Sequence, residues 1–367
     1  MSTVVVATPD VVGARMAGPG IRAWHLARQL ARVAPTTLIA HIESRIPNPE
    51  SPIPLLAAGS SAAGEALGKA RVLIGQPARG FRKRRRAQRI AYDLFDPTVL
   101  ELRELYGAAP SLRQRVHLAA EWWRLAEALL TADLLVCAAA RQRRFYESLQ
   151  GGDASWIEVP FGVDMSEVTT CAKPQGNVIV WGGGVWEWLD PKTAIEAVVD
   201  LNRHGLRCQL LFLGRTRPNR DLIDRRRAGR FEELLASGGT FVSAPADWVP
   251  YAERLSWLGS GKIAIMLHRA TAEAEFAIRT RLFDAIAAGI PVIATERGFA
   301  AELVEREGLG IVVPAEDVSA VAAAIRRLLT DDVFHASCVN NLERIRPRYA
   351  WELVARPLTD AVKAWLT

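Results

Sequence analysis

Five ionisable residues crowd one short segment: Glu273, Glu275, Arg279, Arg281 and Asp284. The arginines stand at the front of an expected helix, which runs into Gly289-Ile290-Pro291 and an apolar strand, Val292 to Ala294. Guanidiniums oppose the helix dipole at that end, so they are poor choices for stability. They suit a bound anion, such as the diphosphate of a nucleotide. Asp284, about a turn on, would then accept hydrogen bonds from ribose hydroxyls. A surface network of Arg with Glu and Asp is the plainer alternative.

Two glycine loops bear on the same chemistry. In VIVWGGGVWEWLDP, Gly182, Gly183 and Gly184 follow a strand, and such a run lets backbone approach a ligand closely. Trp186, Trp188 and Trp248 could stack on a base or sugar, Trp248 being the preferred candidate, or could simply pack. In MAGPGIRAW, Gly18 and Gly20 open a helix whose free N–H groups could hold a phosphate. A tight turn between strand and helix would need the same glycines. The loop is not GxGxxG, and no acid closes a second strand, so nicotinamide binding is unsupported.

RIAYDLFDP sets Asp93 and Asp96 at a strand end, where they could bind hydroxyls or act as a base. Asp96-Pro97 could equally be a turn. The run from Ala78 to Arg89 holds seven basic residues and no acid. Solvated surface is its default; attraction to anionic phospholipid is its functional reading. A second basic run, Arg225 to Arg230, is expected on an exposed helix or loop.

These residues need elements to position them. Val4 to Ala7, the helix of IRAWHLARQLARV and Thr37 to Ala40 open a β-loop-α-β array. Strands follow at Arg71–Ile74, Ile90–Leu94, Leu134–Cys137 and Trp156–Val159, with a long helix around Arg113–Leu130. After a polar stretch, Met165 to Gly176, the pattern restarts. Strands are expected at Asn177–Trp181, Gln209–Leu213, Phe241–Val242, Ile263–Leu267, Val292–Ala294 and Ile311–Val313, with a helix at Pro191–Leu201. The expected fold class is α/β: two Rossmann-like doubly wound domains, 1–170 and 171–347, facing across a cleft. A closing helical segment, 348–367, should return to the first domain on Trp351 and Trp365.

Composition narrows the classes. At 367 residues two domains are expected. The net charge of +6 suits a nucleotide, an anionic lipid surface or a nucleic acid, but no nucleic-acid module is visible. Cys137, Cys171, Cys208 and Cys338 are far apart and form no CxxC, and the six histidines show no ligand spacing. A reducing cytoplasm is therefore expected, with neither a metal site nor a disulfide framework. MSTVVVATPD carries no signal-peptide pattern, and the most apolar segment is too short to span a bilayer.

The motifs together resemble a retaining glycosyltransferase of the GT-B fold, most similar to glycosyltransferase family 4. That family carries two acids eight apart, the second opening a helix that ends in Gly-x-Pro before a strand. Here the second acid matches Asp284, while counting back eight reaches Phe276, so the first is Glu273 or Glu275. A bacterial surface-polysaccharide subgroup has Glu-x-x-Phe-x-x-Arg-Thr-Arg-x-x-Asp, matched by Glu273, Phe276, Arg279, Thr280, Arg281 and Asp284. It also has a glycine triplet before Trp-x-Trp-x-Asp-Pro, matched by Gly182 to Pro191, and a Gly-Pro-Gly-like first loop, matched by Gly18 to Gly20. Arg141-Gln142 and Pro160-Phe161-Gly162 match further elements. Two positions depart: Gly298-Phe299 replaces Gly-Asp, and Arg215 stands where relatives place a lysine.

The resemblance implies a nucleotide-sugar donor in the C-terminal domain and a saccharide, lipid-linked or small-molecule acceptor in the N-terminal one. No cofactor is implied beyond the donor, and no metal. With the residue reading above, it gives Arg279, Arg281, Glu273 and Asp96 as the catalytic candidates, and Gly18, Gly20, Gly182, Gly183, Gly184, Arg215, Trp248 and Asp284 as the donor-binding ones. A nucleotide-sugar 2-epimerase and a non-catalytic nucleotide-sugar-binding partner share the fold and stand as alternatives. The implied location is cytoplasmic, with possible peripheral contact at the inner face of the membrane.

Overall fold

A computed structural model describes residues 3–42, 53–149, 152–168, 176–214 and 225–367, with 225–228 as backbone only. The chain packs as two compact units. The first comprises residues 1–162, 276–278 and 351–367; the second comprises 163–275 and 279–350.

The first unit is built on a seven-stranded sheet of order β3-β2-β1-β4-β5-β6-β7. Its strands are β1 (Val4–Val12), β2 (Thr36–Ile42), β3 (Leu55–Ala57), β4 (Val72–Gly75), β5 (Arg89–Asp93), β6 (Leu134–Cys137) and β7 (Ser155–Glu158). Every pairing is parallel. The central strands are short apolar runs because helices cover both faces. Those helices are α1 (Gly18–Ala31), α2 (Ser61–Lys69), α3 (Thr98–Tyr106), α4 (Leu112–Thr131) and α5 (Ala140–Glu147). A capping box, Ser111 with Gln114, starts α4. Two features had no sequence signal: β3, a three-residue edge strand, and the run of β1 past Ala7 through a register shift to Val12.

The second unit repeats the plan with six parallel strands in the order β10-β9-β8-β11-β12-β13. They are β8 (Val178–Trp181), β9 (Gln209–Phe212), β10 (Val242–Ser243), β11 (Ile263–Met266), β12 (Val292–Thr295) and β13 (Gly310–Val313). Its helices are α6 (Pro191–Arg203), α7 (Arg225–Ser237), α8 (Arg254–Gly259), α9 (Ala272–Phe276), α10 (Thr280–Ala288), α11 (Gly298–Glu307), α12 (Val318–Thr330) and α13 (Asp332–Ile345). The Asp190 side chain caps α6 with Pro191 in its first turn, and Gly289, at φ +71°, ends α10. The fold is thus α/β with two Rossmann-like parallel sheets.

The chain closes with α14 (Trp351–Val354) and α15 (Arg356–Leu366), which pack in the first unit. The Trp351 ring stacks on His25 at 5.0 Å and meets Phe161 edge-on at 5.2 Å. A Cβ on Gly162 would lie 2.4 Å from that ring, so glycine is needed there. Among the described residues no helix is long and apolar enough to cross a membrane.

Candidate functional site

The second unit gathers most of the expected residues at the C-terminal ends of its strands, where doubly wound sheets hold ligands. β8 ends at Trp181, and Gly182, Gly183 and Gly184 follow. Two donors converge on the Gly184 carbonyl: Trp181 Nε1 at 3.3 Å and Arg281 Nη2 at 3.2 Å. Gly183 sits at φ +73°, which only glycine adopts without strain. Gly183 and Gly184 donate no backbone hydrogen bond among the described residues. Those amides therefore remain available to an anion.

Arg281 lies against this loop. Its guanidinium is 5.4 Å from the centre of the Trp181 ring, and a Cβ on Gly182 would sit 3.6 Å from its own Cβ. Nη1 is enclosed and has no hydrogen-bond partner among the described residues. The residue pairs with no carboxylate among the described residues. Burial, then the charge of Arg279, lowers its pKa to about 9, against weaker opposing pulls from Asp284 and Glu273. A cation in that position calls for an anion.

Arg279, the residue before α10, is differently placed. Its Nη1 and Nη2 donate to Glu273 Oε1 and Oε2, both at 2.7 Å. Glu273 is 0 % exposed and Arg279 8 %. This is a closed bidentate pair that occupies both carboxylate oxygens, leaving only Arg279 Nε enclosed and unpartnered. Of the two candidate first acids, Glu273 thus lies inside the arginine cluster, while Glu275 is half-buried on α9.

Beside the arginines stands His268, just past β11, which the sequence did not single out because it belongs to no spaced motif. It is buried, its backbone N–H donates to Thr295 Oγ1, and its Nδ1 is 3.1 Å from the Arg269 carbonyl. That contact places the ring proton on Nδ1 and the lone pair on Nε2. Burial first, then Arg279 and, more weakly, Arg281, lower its pKa to about 4, so the imidazole is neutral at pH 7. A histidine at a strand's C-terminal end was the only signal available.

Asp284 does not stand free. Arg254 Nε donates to its Oδ1 at 3.1 Å, and Arg254 Nη2 reaches Glu167 at 2.7 Å. The guanidinium of Arg254 lies 3.7 Å from the Tyr251 ring centre. Burial raises the Glu167 pKa, and Asp164 and Asp284 add to that, opposed by Arg254. Asp284 keeps acceptor capacity for a hydroxyl, but within this network.

Trp248 lies over two glycines: a Cβ on Gly184 or Gly214 would come within 2.8 Å of its ring. It is half-buried at the glycine loop. Trp186 and Trp188 instead stack on each other at 5.6 Å and pack against the core of the unit. For those two, packing is the observed role.

The remaining candidates belong to the first unit. Gly18 and Gly20 open α1, and a Cβ on Gly20 would stand 2.2 Å from the Val11 carbonyl, so that glycine answers the contact between α1 and β1. Asp93 is bound by Arg22, whose Nε and Nη2 donate at 2.7 and 2.9 Å. Asp96 is half-buried, and Gln76 Nε2 donates to it at 3.4 Å. Gln142, of the Arg-Gln element, holds the Ala138 amide and the Phe95 carbonyl. Arg215 lies outside the described residues.

Residues 176–331 match the family model of the group 1 glycosyl transferases. Among curated proteins, a phosphatidyl-myo-inositol mannosyltransferase of Mycobacterium leprae is 26% identical over 231 residues, 58% of this chain and 54% of that protein. The chain thus spans about half the length of that relative. Sucrose-phosphate synthase from Thermosynechococcus elongatus superposes with a TM-score of 0.70 at 16% identity, covering 99% of both chains. HepE of Anabaena, in complex with UDP-glucose, gives 0.70 at 13% identity, covering 98% of this chain and 99% of that one. The structural likenesses establish the fold. The fold is that of the GT-B type, and residues 176–331 are similar to the group 1 glycosyl transferases.

Proposed function

We propose that the chain is a retaining glycosyltransferase that takes a nucleotide-sugar in its second unit and an acceptor, saccharide or lipid-linked, through its first. The carrying observation is Arg281: a guanidinium with Nη1 enclosed that pairs with no carboxylate among the described residues, beside glycine amides unbonded among those residues, in the stretch that matches group 1 glycosyl transferases. In this reading the diphosphate lies against Arg281 and the amides of Gly183 and Gly184. Trp248 and Asp284 face the nucleoside. Glu273, fixed by Arg279, positions the cluster, and His268 accepts from a sugar hydroxyl.

The chemistry follows. The bond from the anomeric carbon to the β-phosphate oxygen breaks through an oxocarbenium-like state. Charge develops on the diphosphate, where Arg281 and the amides stabilise it. The acceptor oxygen bonds the same face of the sugar, and its proton passes to the departing phosphate. Asp96 in the first unit is the carboxylate we assign to the acceptor hydroxyl.

Two measurements test this. Nucleoside diphosphates, uridine diphosphate first, are screened by thermal unfolding of the parent and of Arg281→Ala. A ligand of the folded state raises the melting temperature. One nucleotide should do so for the parent and largely fail for the variant. Equal shifts, or none with any nucleotide, would overturn the donor site. Turnover of the matching nucleotide-sugar should then require an acceptor, and the product should keep the anomeric configuration by NMR. Acceptor-independent conversion to an epimeric sugar would replace transfer by the 2-epimerase reading.

A further inference from the structure

In the first unit α4 carries an apolar face that no described residue covers. Leu112 is 78% exposed, Val116 62%, Trp123 74% and Leu130 64%. Ala119 and Ala126, between them, are also exposed. At 3.6 residues per turn these six positions fall within roughly 80° of the helix circumference, along roughly 30 Å. The opposite face, with Leu125, Ala128 and Leu129, is buried in the unit. A helix apolar on two faces has two partners. The sequence pattern revealed only the helix.

The neighbourhood says which partner. Asp133, just after α4, pairs with Lys83 at 2.7 Å and Arg89 at 3.1 Å, so the basic stretch 79–89 is tied to the C-terminal end of the helix. Arg79, Arg82, Arg84, Arg85 and Arg86 are exposed and pair with no carboxylate among the described residues. Arg84 and Arg85 are held in place by donating to the carbonyls of Gly80 and of Lys69 and Ala70. At the other end of the helix, Arg113 and Arg115 are exposed beside the stripe. Cations thus flank both ends of an apolar stripe centred on an exposed tryptophan. That is the pattern of a helix lying in the plane of an anionic lipid surface.

A second copy fits less well. A parallel pairing through the stripe would set two basic loops together. An antiparallel pairing would set loop 79–89 against Arg113 and Arg115 of the other copy. Like charges would meet either way.

We infer that α4 is an in-plane membrane anchor: its Leu112–Leu130 stripe enters the interface of an anionic bilayer, and the 79–89 loop meets the phosphate headgroups. This stands on the first unit alone and does not depend on the donor site. The test is co-sedimentation of the full chain with vesicles of phosphatidylcholine, alone or mixed with phosphatidylglycerol. Binding to the mixed vesicles is expected, weakening at least tenfold between low and high salt. Trp123→Ser should reduce binding about tenfold, and Trp123→Phe should keep most of it. Both should unfold at the parent temperature, because the side chain is exposed. Binding to mixed vesicles that is equal in parent and Trp123→Ser would overturn the insertion. Absence of vesicle binding, with a dimer in light scattering that Trp123→Ser dissociates, would overturn the lipid assignment in favour of a second copy.

Discussion

Each unit holds a guanidinium near the C-terminal end of its sheet, Arg22 buried and Arg281 half-buried with Nη1 enclosed, and the two are completed in opposite ways. In the first, Arg22 is 1% exposed and fully engaged: two hydrogen bonds to Asp93, one to the Pro160 carbonyl at 3.2 Å, and the Phe95 ring at 4.9 Å. In the second, Arg281 has one carbonyl, one ring and an enclosed Nη1 with no partner among the described residues. The folds are alike, so the sheet does not dictate the difference. A satisfied buried cation locks a structure; an unsatisfied one reserves a place for a ligand.

The comparison breaks most sharply on stability. Asp93→Ala leaves Arg22 buried and unpaired, and removing one partner of such a pair costs about 3–5 kcal/mol. Chemical denaturation should register that loss. Arg279→Ala should behave alike, because it strands Glu273. The two arginines of the 279–281 segment are therefore not equivalent. A variant at Arg279 that keeps the parent's stability would mean the Glu273 pair is not formed as described.

Arg281→Met carries the opposite expectation. It keeps bulk and removes an unpaired charge, so stability should hold or rise. Affinity for the nucleoside diphosphate should fall ten- to a hundredfold, since a charge-assisted contact is worth about 1.5–3 kcal/mol. Calorimetric titration reads the affinity. Unfolding that is easier by more than about 1 kcal/mol would place Arg281 with Arg22, as a structural residue.

How much of this was legible beforehand follows the same line. Apolar runs such as Val72–Ile74 and Ile263–Met266 announce parallel strands, so the strands of both sheets could be read apart from β3, whose Leu55–Ala57 is too short for any period, and the run of β1 past Ala7. The 279–284 cluster was legible because guanidiniums at a helix start need a reason. Which arginine has a carboxylate was not, since Glu273 is six residues before Arg279 across the break between α9 and α10. Nor was the tie between Asp284 and Arg254, thirty positions apart. His268 escaped because its meaning lies in its neighbours and not in its spacing.

The glycines sharpen the contrast at smaller magnitude. Gly20→Ala presses a methyl against the Val11 carbonyl, fixed backbone in β1, and overpacking of this kind costs about 1–3 kcal/mol. Gly184→Ala presses instead on the outer edge of the Trp248 ring, which can move. The first should lower the melting temperature. The second should leave it within a few degrees and weaken nucleotide binding by displacing Trp248. Two equal losses of stability would make Gly184 a packing glycine like Gly20.

The titration of His268 has no effect at neutral pH and acts only in acid, and its sign is fixed by its surroundings. Its folded pKa is about 4, below the unfolded value of about 6.5. As pH falls through that window the unfolded chain takes up the proton first, so stability is complete above it and lost within it. The loss is about 2 kcal/mol at pH 5. His268→Asn removes the titration, so the difference between parent and variant should vary with pH only between about 6.5 and 4. Taking that difference cancels the other five histidines. A bound diphosphate should oppose the charges of Arg279 and Arg281, which help hold the imidazole neutral. The pKa of His268 should then rise, and binding near pH 5 should take up a proton, seen as a dependence of the calorimetric heat on buffer ionisation. The Asn variant should take up less, keeping only the exchange that belongs to the ligand's own phosphate. A proton uptake equal in both proteins would separate His268 from the anion site and leave that site to Arg281 and the amides of Gly183 and Gly184.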